Sequence, residues 1–299
     1  MTRPATPSLV AAPVEGLGEV LVRTLEDRWV VLGRAFAAAR KKPGGRRVHD
    51  LRVALRRLDS VVSLVEVLVG GKAERTLRKH VKRLLRRLGD VRDAYVQRKA
   101  VASLAQRHRD LAGLRARLVA REKKLEAKVG GWLSGIDMAS LQKTFELVAG
   151  EALLALSSAL LVARHRATLL EAVDRRFSRL IDRRRALDVS DLDTVHSLRV
   201  AFKRFRYLVE VLQPVLVGVG KAQLDSMKAF QLMMGEVHDL DLLNRRLTKW
   251  RRRKARHSAD LVSAHDEIGR RLLQKTDALM ASVDDIHTFW NPSVLPSES

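Results

Sequence analysis

His49, Arg52 and Arg56 stand three and four residues apart, and His196, Arg199 and Lys203 repeat that spacing in the second half of the chain. On a helix of about 3.6 residues per turn, each trio falls within roughly 60° of arc. Arg206 extends the second row, whereas the first copy has Asp59 at the matching position. Rows of this kind suit phosphate. Arg offers a planar bidentate fork, Lys a mobile point charge, and His a proton gained as pH falls toward its normal range. The chemistry implied is the binding of a polyanion, and it needs helices that aim both rows at one ligand.

Those rows sit in a longer repeat. Val48-His49-Asp50-Leu51-Arg52-Val53-Ala54-Leu55-Arg56-Arg57-Leu58 returns as Val195-His196-Ser197-Leu198-Arg199-Val200-Ala201-Phe202-Lys203-Arg204-Phe205. Beside each row runs an apolar set, Val48, Leu51, Leu55, Leu58, Val62 and Val65 in one copy and Val195, Leu198, Phe202, Phe205, Val209 and Leu212 in the other. This spacing marks the core face of an amphipathic helix. A second matched pair follows, Lys82 to Asp93 against Lys228 to Asp239, containing Leu88-Gly89-Asp90-Val91-Arg92-Asp93 and Met234-Gly235-Glu236-Val237-His238-Asp239. On one straight helix Arg75, Lys79, Lys82 and Arg86 share a face, with Asp93 on the same side; the second copy carries Lys221, Lys228 and Asp239 there. Asp93 and Asp239 are expected to orient neighbouring Arg or His, because a carboxylate beside phosphate costs energy. Gly89 and Gly235 each cost a helix about 1 kcal/mol relative to Ala, which points to close helix contact. Adjacent helices would then line two basic grooves, separate or fused.

The surrounding pattern is helical throughout, with no sustained alternation of period two, so the expected class is all-α. Helices are expected over 14–40, 46–69, 72–103 and 104–129, then 141–163, 164–186, a motif helix opened by Ser190-Asp191-Leu192-Asp193 and ended at Gln213-Pro214, 221–257 and 258–285. Short connections make antiparallel neighbours. The expected arrangement is an internal duplication: two pseudo-symmetric four-helix bundles, 14–129 and 140–290, around a basic central groove or pore. A Gly-rich linker at 130–139 separates them, with a disordered tail at 1–13 and a polar tail at 291–299.

Composition narrows the partners. Among 299 residues, 57 Lys and Arg stand against 34 Asp and Glu, a net charge of +23, which calls for nucleic acid, an anionic membrane or polyphosphate. Aromatic residues are 4% of the chain, with two Tyr, too few for base stacking along a single strand. The chain has no Cys, which excludes disulfides and thiolate metal sites and suits a reducing cytoplasm. The N-terminus lacks the apolar stretch of a signal peptide, and the run from Ala152 to Ala163 is short of the roughly 20 residues of a membrane span. No His pair has the spacing of a metal site, and no P-loop, nucleophile elbow or zinc-protease motif is present, so neither metal nor cofactor is expected. A phosphotransfer role for His49 is the enzymatic alternative, but it leaves the surrounding arginines without purpose. The run from Arg245 to Arg256 covers all sides of its helix, as a solvated or nucleic-acid-binding surface would.

The two motif pairs, His-x-Leu-Arg-Val-Ala followed by Leu-Gly-x-Val-Arg-Asp and His-x-Leu-Arg-Val-Ala followed by Met-Gly-x-Val-His-Asp, resemble the two halves of a CHAD domain, the conserved histidine α-helical domain. The resemblance covers roughly 15–290. It implies paired helical bundles around a basic cavity that binds inorganic polyphosphate without catalysis, and association of some members with polyphosphate granules. It assigns the site to His49, Arg52, Arg56 and Lys82 in the first half and to His196, Arg199, Lys203, Arg206 and Lys228 in the second. Asp59 departs from the family's basic residue. Little sequence precedes the first helix, so a stand-alone, cytoplasmic module is expected, with nucleic acid as a secondary partner and the oligomeric state left open.

Overall fold

The structure is a computed structural model that describes residues 16–157, 161–216, 219–253 and 258–291. The 1–13 tail, all but Asn291 of the 291–299 tail, and the end of the Arg245–Arg256 run lie outside the described residues. The described residues form ten α-helices: α1 (Gly16–Lys41), α2 (Gly45–Val69), α3 (Lys72–Arg87), α4 (Gly89–Leu104), α5 (Ala112–Ser134), α6 (Met138–Leu156), α7 (Val162–Arg185), α8 (Leu192–Leu212), α9 (Lys221–Arg253) and α10 (Ala259–Ser282). Short 3₁₀ turns lie at Arg109–Leu111, Gln213–Val215 and Val283–Thr288, and the described residues form no strand.

The seams of α2 and α8 are buried as their spacing requires. Val48, Leu51, Leu55, Leu58, Val62 and Val65 are fully inaccessible, and Val195, Leu198, Phe202, Phe205, Val209 and Leu212 are at most 1% exposed. Asp191 caps α8 by accepting the Asp193 N–H, and Asp137 and Ser258 cap α6 and α10 in the same way. Gly70 ends α2 with φ of 73°, a conformation open to glycine at little cost.

Three features depart from the expected layout. The single helix expected over 72–103 is two, α3 and α4, broken at Leu88. There Arg52 donates to the carbonyl of Leu85, the oxygen that an unbroken helix would offer to the Gly89 N–H. A side chain in the ladder is a recognised cause of such a kink. The second difference concerns Gly130 and Gly131, which are not a linker but part of α5, leaving only Gly135 to Asp137 as the connection. A Cβ at Gly130 would lie 2.9 Å from Pro43 Cγ, so glycine there admits the turn between α1 and α2.

The third is the core, which does not divide at the midpoint. One apolar cluster takes residues from all ten helices, with α6 packed on both α1 and α3. A smaller cluster joins the ends of α4 and α5 (Val101, Leu104, Leu114, Leu118) to α9 and α10 (Leu247, Trp250, Leu261, Ile268). Both clusters draw on both halves of the sequence. No helix among the described residues is long and apolar enough to cross a membrane.

The smaller cluster is closed by His108, which is 7% exposed. Its Nδ1 lies 2.9 Å from Asp260 and its Nε2 3.2 Å from Glu267. Burial opposes the charged ring, but the two carboxylates outweigh it and raise the imidazole pKa. A raised folded pKa means that this interaction contributes fully below the unfolded value of about 6.5 and fades as pH rises through the folded one. His108→Ala should therefore lower unfolding free energy by about 1 to 3 kcal/mol at pH 6 and by less at pH 9, measured by urea denaturation at the two pH values.

Candidate functional site

Four helices, α2, α4, α8 and α9, meet around one centre, with α2 against α8, α4 against α9, and each motif helix against its own partner. The outer flanks of α2 and α8 are held by their apolar seams, so the opposite flanks turn toward this junction. α2 contributes His49, Arg52 and Arg56, and α8 contributes His196, Arg199 and Lys203. From α4 come Arg92 and Asp93, and from α9 His238 and Asp239. The two basic rows thus belong to one shared site rather than to two grooves.

The charges in this site act on one another. Burial, then Arg56, Arg199, Arg52 and Arg92, push the Lys203 ammonium down to about 6. Burial, then Arg199 and the His196 ring 4.5 Å away, push His238 down to about 4. His49 and His196 are lowered by burial and then by Arg92 and Arg199 respectively. Burial and then Arg56 take Arg52 to about 10, and burial lowers Arg56 and Arg199 as well. Four arginines and a lysine share the centre of the junction with two carboxylates, both facing Arg92. Its guanidinium is 3.4 Å from Asp93 and 3.8 Å from Asp239. Burial raises the Asp239 pKa against the pull of Arg92 and Arg199. Arg52 Nε, His196 Nδ1 and, on the acidic side, Asp239 Oδ1 have no hydrogen-bond partner among the described residues. Nitrogen groups without partners, in a place short of negative charge, fit an anion.

The two motif glycines serve this packing. A Cβ on Gly89 would stand 3.7 Å from Arg52 Nη1, and one on Gly235 would stand 3.9 Å from Arg199 Nε. What approaches these glycines is the guanidinium of each motif arginine, not the backbone of a second helix. At one mouth of the junction His49, Arg92 and Asp239 border a cavity of about 610 Å³ that continues past Arg46, Tyr95 and Lys99. Tyr95 packs directly on Gly45, where a Cβ would collide with its ring.

The remaining expected residues lie elsewhere. Arg75 is exposed and donates to the Gly70 carbonyl at 2.9 Å. Lys79, Lys82, Lys221 and Lys228 are exposed, and Arg86 borders a separate cavity against α5. None of these six is among the charges that act most strongly on the junction. Their shared face with Asp93 requires one continuous helix, and the helix is interrupted at Leu88. Arg206, 8% exposed, pairs with Glu210 at 3.0 Å and Gln231 at 2.9 Å and lies over the Tyr207 ring. Its counterpart Asp59 accepts from Arg78 at 3.0 Å, so the rows end in ion pairs rather than in free cations. Sequence reasoning misses Arg92 and His238 as site residues, although they occupy the same place in the second repeated motif, immediately before Asp93 and Asp239.

Comparison with known proteins agrees with this architecture. No curated protein matches the chain. Among solved structures, the crystal structure of the CHAD domain from the plant Ricinus communis superposes with a TM-score of 0.62 at 20% identity, covering 96% of each chain. PptA from Streptomyces chartreusis superposes with a TM-score of 0.54 at 15% identity, covering 91% of this chain and 99% of that one. These likenesses are of fold. The CHAD domain family model matches residues 31–248, a span that contains every side chain of the junction, and the chain belongs to the CHAD domain family.

Proposed function

We propose that the junction of α2, α4, α8 and α9 binds inorganic polyphosphate. The observation that carries this reading is the excess of buried or half-buried cations that depress one another's proton affinity with too few carboxylates to offset them. A linear chain of phosphates supplies closely spaced negative charge and no bases, and needs many cationic donors with little shape code. Membership of the family that the sequence resembles supports the same ligand. The reading is of binding without catalysis, with the histidines as neutral donors at pH 7. A general nucleic-acid surface is less well supported, because Arg245 is tied to Asp193 and Asp241 and Arg246 to Gln97.

Binding to long-chain polyphosphate should weaken steeply with salt, as counterion release dictates. Arg56→Ala with Arg199→Ala should lower affinity by about a hundredfold or more and reduce the salt slope by about 1 for each phosphate deprived of its cation, measured by calorimetry at several salt concentrations. Circular dichroism should show unchanged helicity. Long-chain polyphosphate should displace DNA at far lower phosphate concentration than the reverse; equal exchange would favour the nucleic-acid reading.

Lys203 adds a pH signature. It faces Arg52, Arg56, Arg92 and Arg199, with Asp93 and Asp239 as the nearby carboxylates, His49 and His196 on the same rows, and the Tyr207 ring 6.0 Å away. With a value of about 6 it is neutral at pH 7 in the free protein, and a polyanion beside it restores the charge. Binding at pH 7 to 8 should take up a proton, seen as a dependence of calorimetric enthalpy on buffer ionisation, and affinity should rise as pH falls toward 6. Folding also expels this proton between pH 6 and the ordinary lysine value, so the ammonium opposes the fold in full below pH 6 and less as pH rises toward that value. Lys203→Met should erase the proton uptake, weaken polyphosphate binding and raise the unfolding free energy of the free protein by about 1 kcal/mol.

A further inference from the structure

Where α5 meets the α3–α4 break, a second cavity of about 330 Å³ opens. Its floor is apolar, built from Val91, Leu125 and Val129, and one wall is the half-buried indole of Trp132. Arg83, Arg86, Arg87 and Lys128 stand around it against a single carboxylate, Asp90, and none of the four cations has an ion-pair partner among the described residues. The Arg87 guanidinium lies 6.0 Å from the centre of the Trp132 ring.

The lining combines two demands that no simple ion makes. An inorganic anion has no use for an apolar floor and an indole, and an apolar ligand has no use for four unpaired cations. A ligand that joins a planar ring to several negative charges uses both, since a base stacks on an indole or between an indole and a guanidinium while Arg and Lys hold phosphate oxygens. The volume lies within the range of small-molecule sites. We infer that this cavity is a binding site for a nucleoside di- or triphosphate, with the base against Trp132 and the phosphates toward Arg83 and Lys128. The inference does not rest on the reading of the junction, because its residues are separate from those that carry polyphosphate there.

Trp132 also signals occupancy of the site. The other tryptophans, Trp29, Trp250 and Trp290, are 9%, 6% and 1% exposed, so a ligand that quenches an accessible indole acts on Trp132. Titration of the full chain with ATP should quench fluorescence saturably, and Trp132→Phe should remove that quench. Arg83→Ala with Arg87→Ala, both at exposed positions, should weaken ATP binding by roughly tenfold or more while polyphosphate affinity stays unchanged. Inorganic tripolyphosphate should compete for ATP only at much higher concentration. The inference is overturned if ATP gives no saturable binding, if the Arg83 and Arg87 changes leave ATP affinity unaltered, if tripolyphosphate displaces ATP at equal concentration, or if Arg199→Ala abolishes ATP binding.

Discussion

Repulsion among like charges at the meeting point of α2, α4, α8 and α9 is the constraint under which the rest of the molecule is built. Bringing Arg52, Arg56, Arg92, Arg199 and Lys203 together, partly out of water, opposes folding through desolvation and through mutual repulsion. The proton affinities of Lys203 and His238 show the direction of that opposition, since both groups lose their charge first. The opposing force comes from the other flank of the same helices. Every residue of the two apolar seams is buried, so turning the cations away from the junction would expose those seams to water.

The shared core makes that arrangement hard to relax. Because α6 packs on α1 and α3 while α8 packs on α2, the two halves cannot move apart without opening the main apolar cluster. The second cluster ties α4 and α5 to α9 and α10 at the other end, so α4 and α9, which carry Arg92 and His238, are held from both sides. The cationic site therefore lies among helices that both clusters hold together.

What can be read from the sequence, and what cannot, follows from the range of each signal. The seams of α2 and α8 are legible because amphipathic periodicity reflects burial directly, and the His, Arg and Lys rows are legible as their complement. The face of Arg75, Lys79, Lys82 and Arg86 is not, because periodicity presumes a straight helix, and the break depends on Arg52 reaching across from another helix to Leu85. Gly130 has the composition of a boundary, but its role is close approach to Pro43, a residue far away in the chain. Arg206 has a local clue, Glu210 four residues on, that a pattern of positive charge alone does not weigh. Arg92 and His238 are written in the repeat, but a guanidinium and an imidazole at one aligned position give no hint that they meet at a single centre.

The bond from Arg52 to the Leu85 carbonyl has a further consequence. Arginine is costly to immobilise because of its many rotamers, and an ordinary surface arginine gives up that freedom only when its ligand arrives. Arg52 gives it up as the chain folds, using one of its five N–H donors as an anchor and leaving its Nε–H without a partner among the described residues. Part of the entropic penalty of capture is thereby met in advance, so an incoming anion finds the guanidinium already held in place rather than swinging free.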